Sequence, residues 1–439
     1  MNKIRLVIIL LSSLFGQQSF AQYTREAFER ILFHEAQDAL TRVIVSDIFS
    51  PPVASRIYVY AHVAAYETLM RFEPKTYQSL AGQLRGLSSP AVQKTSHAQA
   101  GLAATEALLM VGRGLVFSEQ ALEEEAATLW KRVQQRGYTA EEIRESKAMG
   151  QQMAQHILAW AGTDQYKQTR SLRRYAPLKK EGSWLPTPPA YMPAVEPYWG
   201  RIKPMVLDSS TQYQLSAPPV YSISPESAFY HSAQDVQQAG LHLTEEQRLI
   251  ANYWDCNPFF LHTQGHMHFG SKKLSPNGHW MSIAGQVARQ LHTDLYRTSS
   301  AYVLTALAIF DGFITCWQDK YTYNVIRPET YINAHISESW KPILQTPPFP
   351  EYPSGHSVIS TAAAVVLDQV FGSNVAFHDS TEVPYGLPVR HFASFTQAAQ
   401  EAAVSRLYGG IHYREAIVNG QQQGFAVGQA LLRKVKWKK

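Results

Sequence analysis

The stretch Glu351-Tyr352-Pro353-Ser354-Gly355-His356-Ser357, running into the apolar segment Val358 to Phe371, decides how this chain is read. Pro353 cannot sit inside a helix, and a proline pushes the residue before it out of the α region. Ser354 is a good N-cap, because its side chain can accept from an amide of the first turn. A helix from Ser354 to Phe371 is therefore predicted, with Gly355 and His356 in its first turn. The first amides of a helix lack an internal acceptor and the dipole is positive there, so this end suits an anion. Gly355 lets backbone approach closely, and His356 brings a group that titrates near neutral pH. Taken alone, the same pattern also describes an ordinary capping turn.

Two more blocks lie nearby. Lys320 and Arg327 are seven residues apart, close to two helical turns, which predicts both on one helix face with Pro328 closing the helix at Arg327. Two such cations can clamp a tetrahedral oxyanion, Arg as a planar fork and Lys as a point charge; the plainer reading is a solvated basic face. In the third block Arg406 nears a helix end, Gly409-Gly410 breaks it, and His412 follows on the turn. The plainer reading there is a capped helix with a surface histidine.

The rest of the chain reads as helix after helix. Phe28, Ile31, Leu32 and Ala36 fall at helical spacing within 22–47, and Ser50-Pro51-Pro52 breaks that helix. Ala54 to Met70 is apolar almost all round, which predicts a buried helix. Helices follow over 97–115, 118–136 and 140–161, the last two closed by Gly137 and Gly162. Residues 166–227 carry prolines, tryptophans and tyrosines without period: a long loop suited to a lid, a pocket wall or a boundary. Further helices are expected at 244–253, 278–295, 299–320, 393–408 and 420–435. No segment alternates with period two and there is no internal repeat, so the expectation is an all-α fold with long irregular loops. The division expected is an N-terminal helical region, 22–240, and a C-terminal catalytic region, 241–439.

Composition fits a globular protein: 439 residues, 45% hydrophobic, 17% charged, net charge +5. The basic run Arg433-Lys434, Lys436 and Lys438-Lys439 reads as a solvated tail, so no nucleic-acid partner is expected. Met1-Asn2-Lys3-Ile4-Arg5, an apolar core from Leu6 to Phe15 and Ser19-Phe20-Ala21 form a signal-peptide pattern over 1–21. The mature chain is then expected to begin at Gln22 and to be exported, to the periplasm or beyond. Ala301 to Trp317 carries Asp311 and falls short of a clean span, so a core helix rather than a transmembrane one is expected. Cys256 and Cys316 can pair in an exported protein, but buried free thiols are the preferred reading. His262, His266 and His268 tempt a zinc assignment; a pocket wall is the simpler expectation.

Lys-x6-Arg-Pro, Pro-Ser-Gly-His and Ser-Arg-x5-His, in this order in the last third of the chain, resemble the superfamily of vanadium-dependent haloperoxidases and type 2 phosphatidic acid phosphatases. The resemblance is specific from about Asp255 to His412, and it implies one oxyanion pocket in a large helical bundle. It implies that Lys320, Arg327 and Arg406 bind equatorial oxygens of vanadate or phosphate, with hydrogen bonds from Ser354 and Gly355. His412 becomes the apical partner, ligating vanadium or attacking phosphorus, and His356 the acid–base group opposite. Asp255 resembles the acid that orients that histidine. Trp317 and Phe349 match aromatic positions that line the halide pocket in the haloperoxidase branch; core packing is their other reading.

Vanadate and phosphate share shape and charge, so the motif serves two chemistries. The flanking aromatics and the length of the upstream region favour a vanadate enzyme that oxidises halide with hydrogen peroxide, iodide or bromide rather than chloride. The alternative is a phosphatase that needs no cofactor and hydrolyses phosphate esters through a phosphohistidine. A third reading is an oxyanion-binding protein without turnover. One position departs from the family, which places Asp four residues after the final histidine. That position is Ala416 here, with Glu415 at three. Either Glu415 reaches the imidazole or a backbone carbonyl serves instead.

Overall fold

The computed structural model describes residues 25–264, 267–270 and 273–439. The segment expected to be a signal peptide lies outside them, as do His266 and the side chains of His262 and His268. The chain is built from helix α1 (25–46), α2 (Pro51–Leu69), α3 (Ala100–Arg113), α4 (Glu119–Gln135), α5 (Ala140–Ala161), α6 (Tyr166–Arg170), α7 (Ala228–Leu241), α8 (Glu245–Tyr253), α9 (Pro276–Gln290), α10 (Leu295–Tyr323), α11 (Pro328–His335), α12 (Gly355–Phe371), α13 (Phe395–Tyr408) and α14 (Arg414–Lys434). Two short antiparallel ribbons interrupt them: β1 (Leu261–Gln264) with β2 (Met267–Gly270), and β3 (Phe377–Asp379) with β4 (Arg390–Phe392). The all-α expectation holds; strands of three or four residues are too short to leave a period-two signature.

Caps explain most helix starts. Ser50, Thr139, Thr244, Ser275, Asp294 and Ser354 each accept from an amide of the first turn. Pro51 and Pro52 occupy the first positions of α2 rather than an inter-helix break, since an N1 proline lacks an amide that would go unpaired anyway.

The architecture turns on α10. It packs on one side against α2 and on the other against α12, with α9 and α14 alongside. One apolar core therefore includes residues from Phe28 in α1 to Val435 beyond α14. Among the described residues α10 is the helix long and apolar enough to cross a membrane, and its apolar window is entirely buried in the protein. The loop-rich segment girdles this helix. The amides of Met205, Val206 and Leu207 donate to the Asp311 carboxylate, and Leu215 N and Gln423 Nε2 donate to Asp319. Burial pushes both carboxyls up to about 6. Trp317 Nε1 and Tyr321 Oη donate to the Val195 carbonyl.

α14 begins six residues earlier than the sequence suggests. Gly420, read as a helix boundary, lies inside it with Gly424 and Gly428, where α14 crosses α12. A Cβ at Gly424 would collide with the Val358 carbonyl, so these glycines allow close packing and end nothing.

Candidate active site

The helix start at Ser354 forms as expected. Ser354 Oγ accepts from Ser357 N, and Gly355 and His356 open α12. Ser354 N donates to the Ala416 carbonyl, which ties the start of α12 to the start of α14.

The Lys320–Arg327 pair is assembled differently from the expectation. α10 ends at Tyr323 and Asn324 caps it in the left-handed region, φ 51°. Val325 then bridges to Ser183, and Arg327 is the N-cap of α11 in extended conformation. The two cations do not share a helix face. They meet over the Phe349 ring instead, Lys320 Nζ 5.1 Å and Arg327 Cζ 5.0 Å from its centroid. Lys320 gives its three N–H groups to the carbonyls of Pro350, Glu351 and Pro353. A buried ammonium must satisfy three donors, and this proline-rich strap has carbonyls free of any helix. Lys320 is thus a brace of the strap, and its charge reaches the pocket through space.

Arg327 donates Nε to the Phe349 carbonyl at 2.9 Å and NH1 to the Ile411 carbonyl at 2.9 Å. The same NH1 lies 3.3 Å from His412 Nε2. Its NH2 is buried and has no partner among the described residues. His412 Nδ1 is 2.7 Å from Glu351 Oε1, and Tyr413 N donates to the same oxygen at 3.0 Å. An oxygen that takes an amide proton is an acceptor, so Nδ1 carries the imidazole proton and Nε2 keeps its lone pair. Glu351 therefore does what was expected of either Glu415 or a backbone carbonyl. Glu415 instead accepts from Ser232 Oγ at 2.9 Å, because at position 415 it starts α14 facing α7.

Arg406, at the end of α13, donates Nε to Ser405 Oγ and NH2 to the carbonyls of Trp254 and Ala251. The Trp254 backbone also hydrogen-bonds the His356 ring. His356 Nε2 is shielded and unpartnered among the described residues. Asp255 does not hold His356, since its carboxylate is taken by Lys273 Nζ at 2.6 Å. It acts on Arg406 by charge.

Gly355, His356, Arg406, His412, Trp317 and Phe349 line one cavity, with roughly 40 Å³ open to the centre of a water molecule. That is room for a few water-sized groups. A tetrahedral oxyanion is a group of that size. Burial dominates the electrostatics. It pushes Lys320 down to about 7, Arg327 down to about 10, and Arg406 down as well. Burial, then Arg327, Lys320 and Arg406, hold His412 well below the ordinary imidazole value. Burial and Arg406 do the same to His356. Burial pushes Glu351 up to about 7, against the pull of Arg327 and Lys320. The pocket thus has Arg406 and two neutral imidazoles in its wall, and beside His412 the Arg327 guanidinium with an N–H unpartnered among the described residues, a donor set that fits a multiply charged oxyanion.

Residues 300–438 match the family described as the VCPO second helical-bundle domain. A crystal structure described as the first bacterial vanadium-dependent iodoperoxidase matches at 45% identity, over 93% of this chain and 97% of that one, with a TM-score of 0.88. This chain belongs to the vanadium-dependent haloperoxidases. A bacterial vanadium-dependent chloroperoxidase shares the fold, TM-score 0.67, at 16% identity over 88% of this chain and 93% of that one. No curated protein matches.

As a haloperoxidase the chain is an oxidoreductase acting on small molecules. Its site contains groups that the sequence reading passed over. Glu351 stood inside the quoted stretch, but its partner is 61 residues away. The Trp254 carbonyl serves through its backbone, so side-chain chemistry could not flag it. Cys256 and Cys316 are free and buried, Cys256 against His279 and Cys316 near the Pro353 carbonyl.

Proposed function

We propose that this haloperoxidase holds vanadate at His412 and uses hydrogen peroxide to oxidise iodide most readily, bromide less and chloride least. Vanadate, when bound, supplies a Lewis-acidic centre that activates peroxide toward halide. The protein groups do the rest. His412 Nε2, with its lone pair fixed by Glu351 at Nδ1, is the nitrogen to ligate the metal. Arg327 NH2, Arg406 and the first amides of α12 oppose the oxyanion charge, and Lys320 adds to that field from behind the strap. His356 Nε2 is neutral and unpartnered, so it can take a proton and return it. Trp317 and Phe349, 5.0 Å apart between centroids, wall the cavity with polarisable surface beside the cations. That wall suits a large, easily oxidised halide, and iodide needs the least oxidising power. The 45%-identical relative described as an iodoperoxidase supports the same choice. We further propose export through residues 1–21, on the signal-like pattern of that segment.

The observation that carries this reading is the His412 Nε2 lone pair facing a guanidinium that has a free N–H. One purified preparation tests it. Given vanadate, peroxide and each halide in turn, it should oxidise iodide fastest, and only with vanadate present. Given a chromogenic phosphate ester without vanadate, it should release little product. Ester hydrolysis that vanadate inhibits, with no halide oxidation, would replace this reading by the phosphatase one.

A further inference from the structure

Beside the active-site cavity, whose wall Cys256 shares, lies a second group of buried side chains to which the oxidation chemistry gives no part. Cys256 follows Trp254 and Asp255 on the segment leaving α8. His279 is in the first turns of α9, and Glu382 follows β3. All three are buried, and their donor atoms lie within 4.8 Å of one another. Cys256 Sγ is 3.4 Å from His279 Nδ1, and Glu382 Oε1 is 3.3 Å from the same nitrogen. Glu382 Oε1 has no hydrogen-bond partner among the described residues.

These separations have a chemical meaning. Zinc bonds of about 2.3 Å to sulfur and about 2.0–2.2 Å to nitrogen and oxygen, at tetrahedral angles, set donors about 3.4–3.6 Å apart. The two distances to His279 Nδ1, 3.4 Å from sulfur and 3.3 Å from oxygen, match. The imidazole is also prepared for a ligand's task. His279 Nε2 is 2.7 Å from Asp379 Oδ2, which holds a proton on Nε2 and leaves Nδ1 free to face the thiol and Glu382. Asp379 is itself fixed by Thr381 N and Gln286 Nε2 through Oδ1. The Trp254 ring stacks on His279, centroids 4.4 Å apart, and sets its plane.

We propose that Cys256, His279 and Glu382 form a structural site for a divalent cation of the zinc class, with Asp379 orienting the imidazole. Thiolate, imidazole and carboxylate together suit zinc better than the hard oxygen-seeking cations. The cation bonds to the residue next to Asp255 and two from Trp254, whose backbone positions both Arg406 and His356. It therefore pins the segment that holds two groups of the vanadate pocket. The proton-only arrangement, an imidazolium shared between Asp379 and Glu382, is the competing occupant.

The test uses tag-free, full-length protein made in zinc-supplemented medium without chelators. Elemental analysis should find on the order of one zinc per chain. Cys256→Ser and Glu382→Gln should each lower that content several-fold. If either variant fails to fold, the wild-type protein still decides the matter. Stripped of metal and given cobalt(II), it should develop a thiolate-to-cobalt charge-transfer band and melt at a higher temperature than the stripped form. The band identifies a cysteine ligand, so metal held by the exposed His378–His391 pair would not imitate it. Cys316, the other thiol, has no such ligand group around it among the described residues. Metal-free wild-type protein that gains no band and no stability from cobalt or zinc overturns the proposal. Stoichiometric zinc that survives both substitutions in folded variants overturns it too.

Discussion

Two buried histidines in this protein each sit 2.7 Å from a carboxylate oxygen, His412 from Glu351 and His279 from Asp379. Burial opposes the charged imidazole in both. Yet His412 is driven well below its ordinary value and His279 well above it. The distance alone does not make the difference; the charge on the partner and on the other neighbours does, since Asp379 is held below its ordinary value and Glu351 is pushed up to about 7. His412 faces Arg327, Lys320 and Arg406, whereas His279 faces Asp379, Glu382 and the Cys256 thiol. A ring of cations keeps an imidazole neutral and its lone pair available to an oxyanion's central atom. A ring of acids and sulfur makes a place for positive charge, whether proton or metal.

Substitutions separate the two sites, and the largest effect is expected at His412. His412→Ala should abolish vanadate-dependent iodide oxidation above background, while its melting curve stays close to wild type. Loss of fold together with activity would make His412 a structural residue like its counterpart. Next comes Arg327→Ala, expected to lower kcat by about 10²–10³-fold, the usual effect of removing one oxyanion donor. An unchanged kcat would place the oxyanion elsewhere. Asp379→Asn should act on stability, costing about 3–5 kcal/mol in chemical denaturation because a buried pair loses one partner. Glu351→Gln keeps an acceptor for Nδ1–H and changes only charge, so vanadate affinity should fall about 10–100-fold with little loss of stability. If the two carboxylate substitutions gave the same phenotype, the contrast drawn between the sites would be wrong.

The smallest effect is a pH slope. Lys320 loses its proton, and Glu351 gains its charge, as pH rises through about 7. Both steps remove positive charge from the pocket, so oxyanion affinity should fall with rising pH. The limit is tenfold per pH unit for each proton. Lys320→Met should show a shallower slope than wild type in vanadate titrations across that range. Equal slopes would show that Lys320 does not titrate there.

Legibility in the sequence followed the range of the interaction. The start of α12 was plain because proline sterics and an N-cap act within a few residues of Ser354. Arg406, a helix-breaking glycine pair and His412 were legible for the same reason. The shared helix face of Lys320 and Arg327 was a wrong inference from spacing. Asn324 turns the chain between them, and φ 51° at an asparagine leaves no strong local mark. Gly420 read as the start of the last helix because the carbonyl it approaches is that of Ser354, at the N-cap of α12 and far away in sequence. Glu351, in the most informative stretch of all, could not be assigned, since its role depends on where a distant turn places His412. The His279 cluster draws on segments from Cys256 to Glu382 and carries no motif.

His412, through Nε2, is proposed to anchor the oxyanion inside the cavity lined by Arg406, His356 and Trp317. A crystal structure of the vanadate-soaked protein tests this most directly. Vanadium should be found bonded to His412 Nε2, with Arg327 and Arg406 on its oxygens. Vanadium bound at any other residue, or Nε2 of His412 still directed at Arg327 with vanadate absent from the cavity, would contradict it.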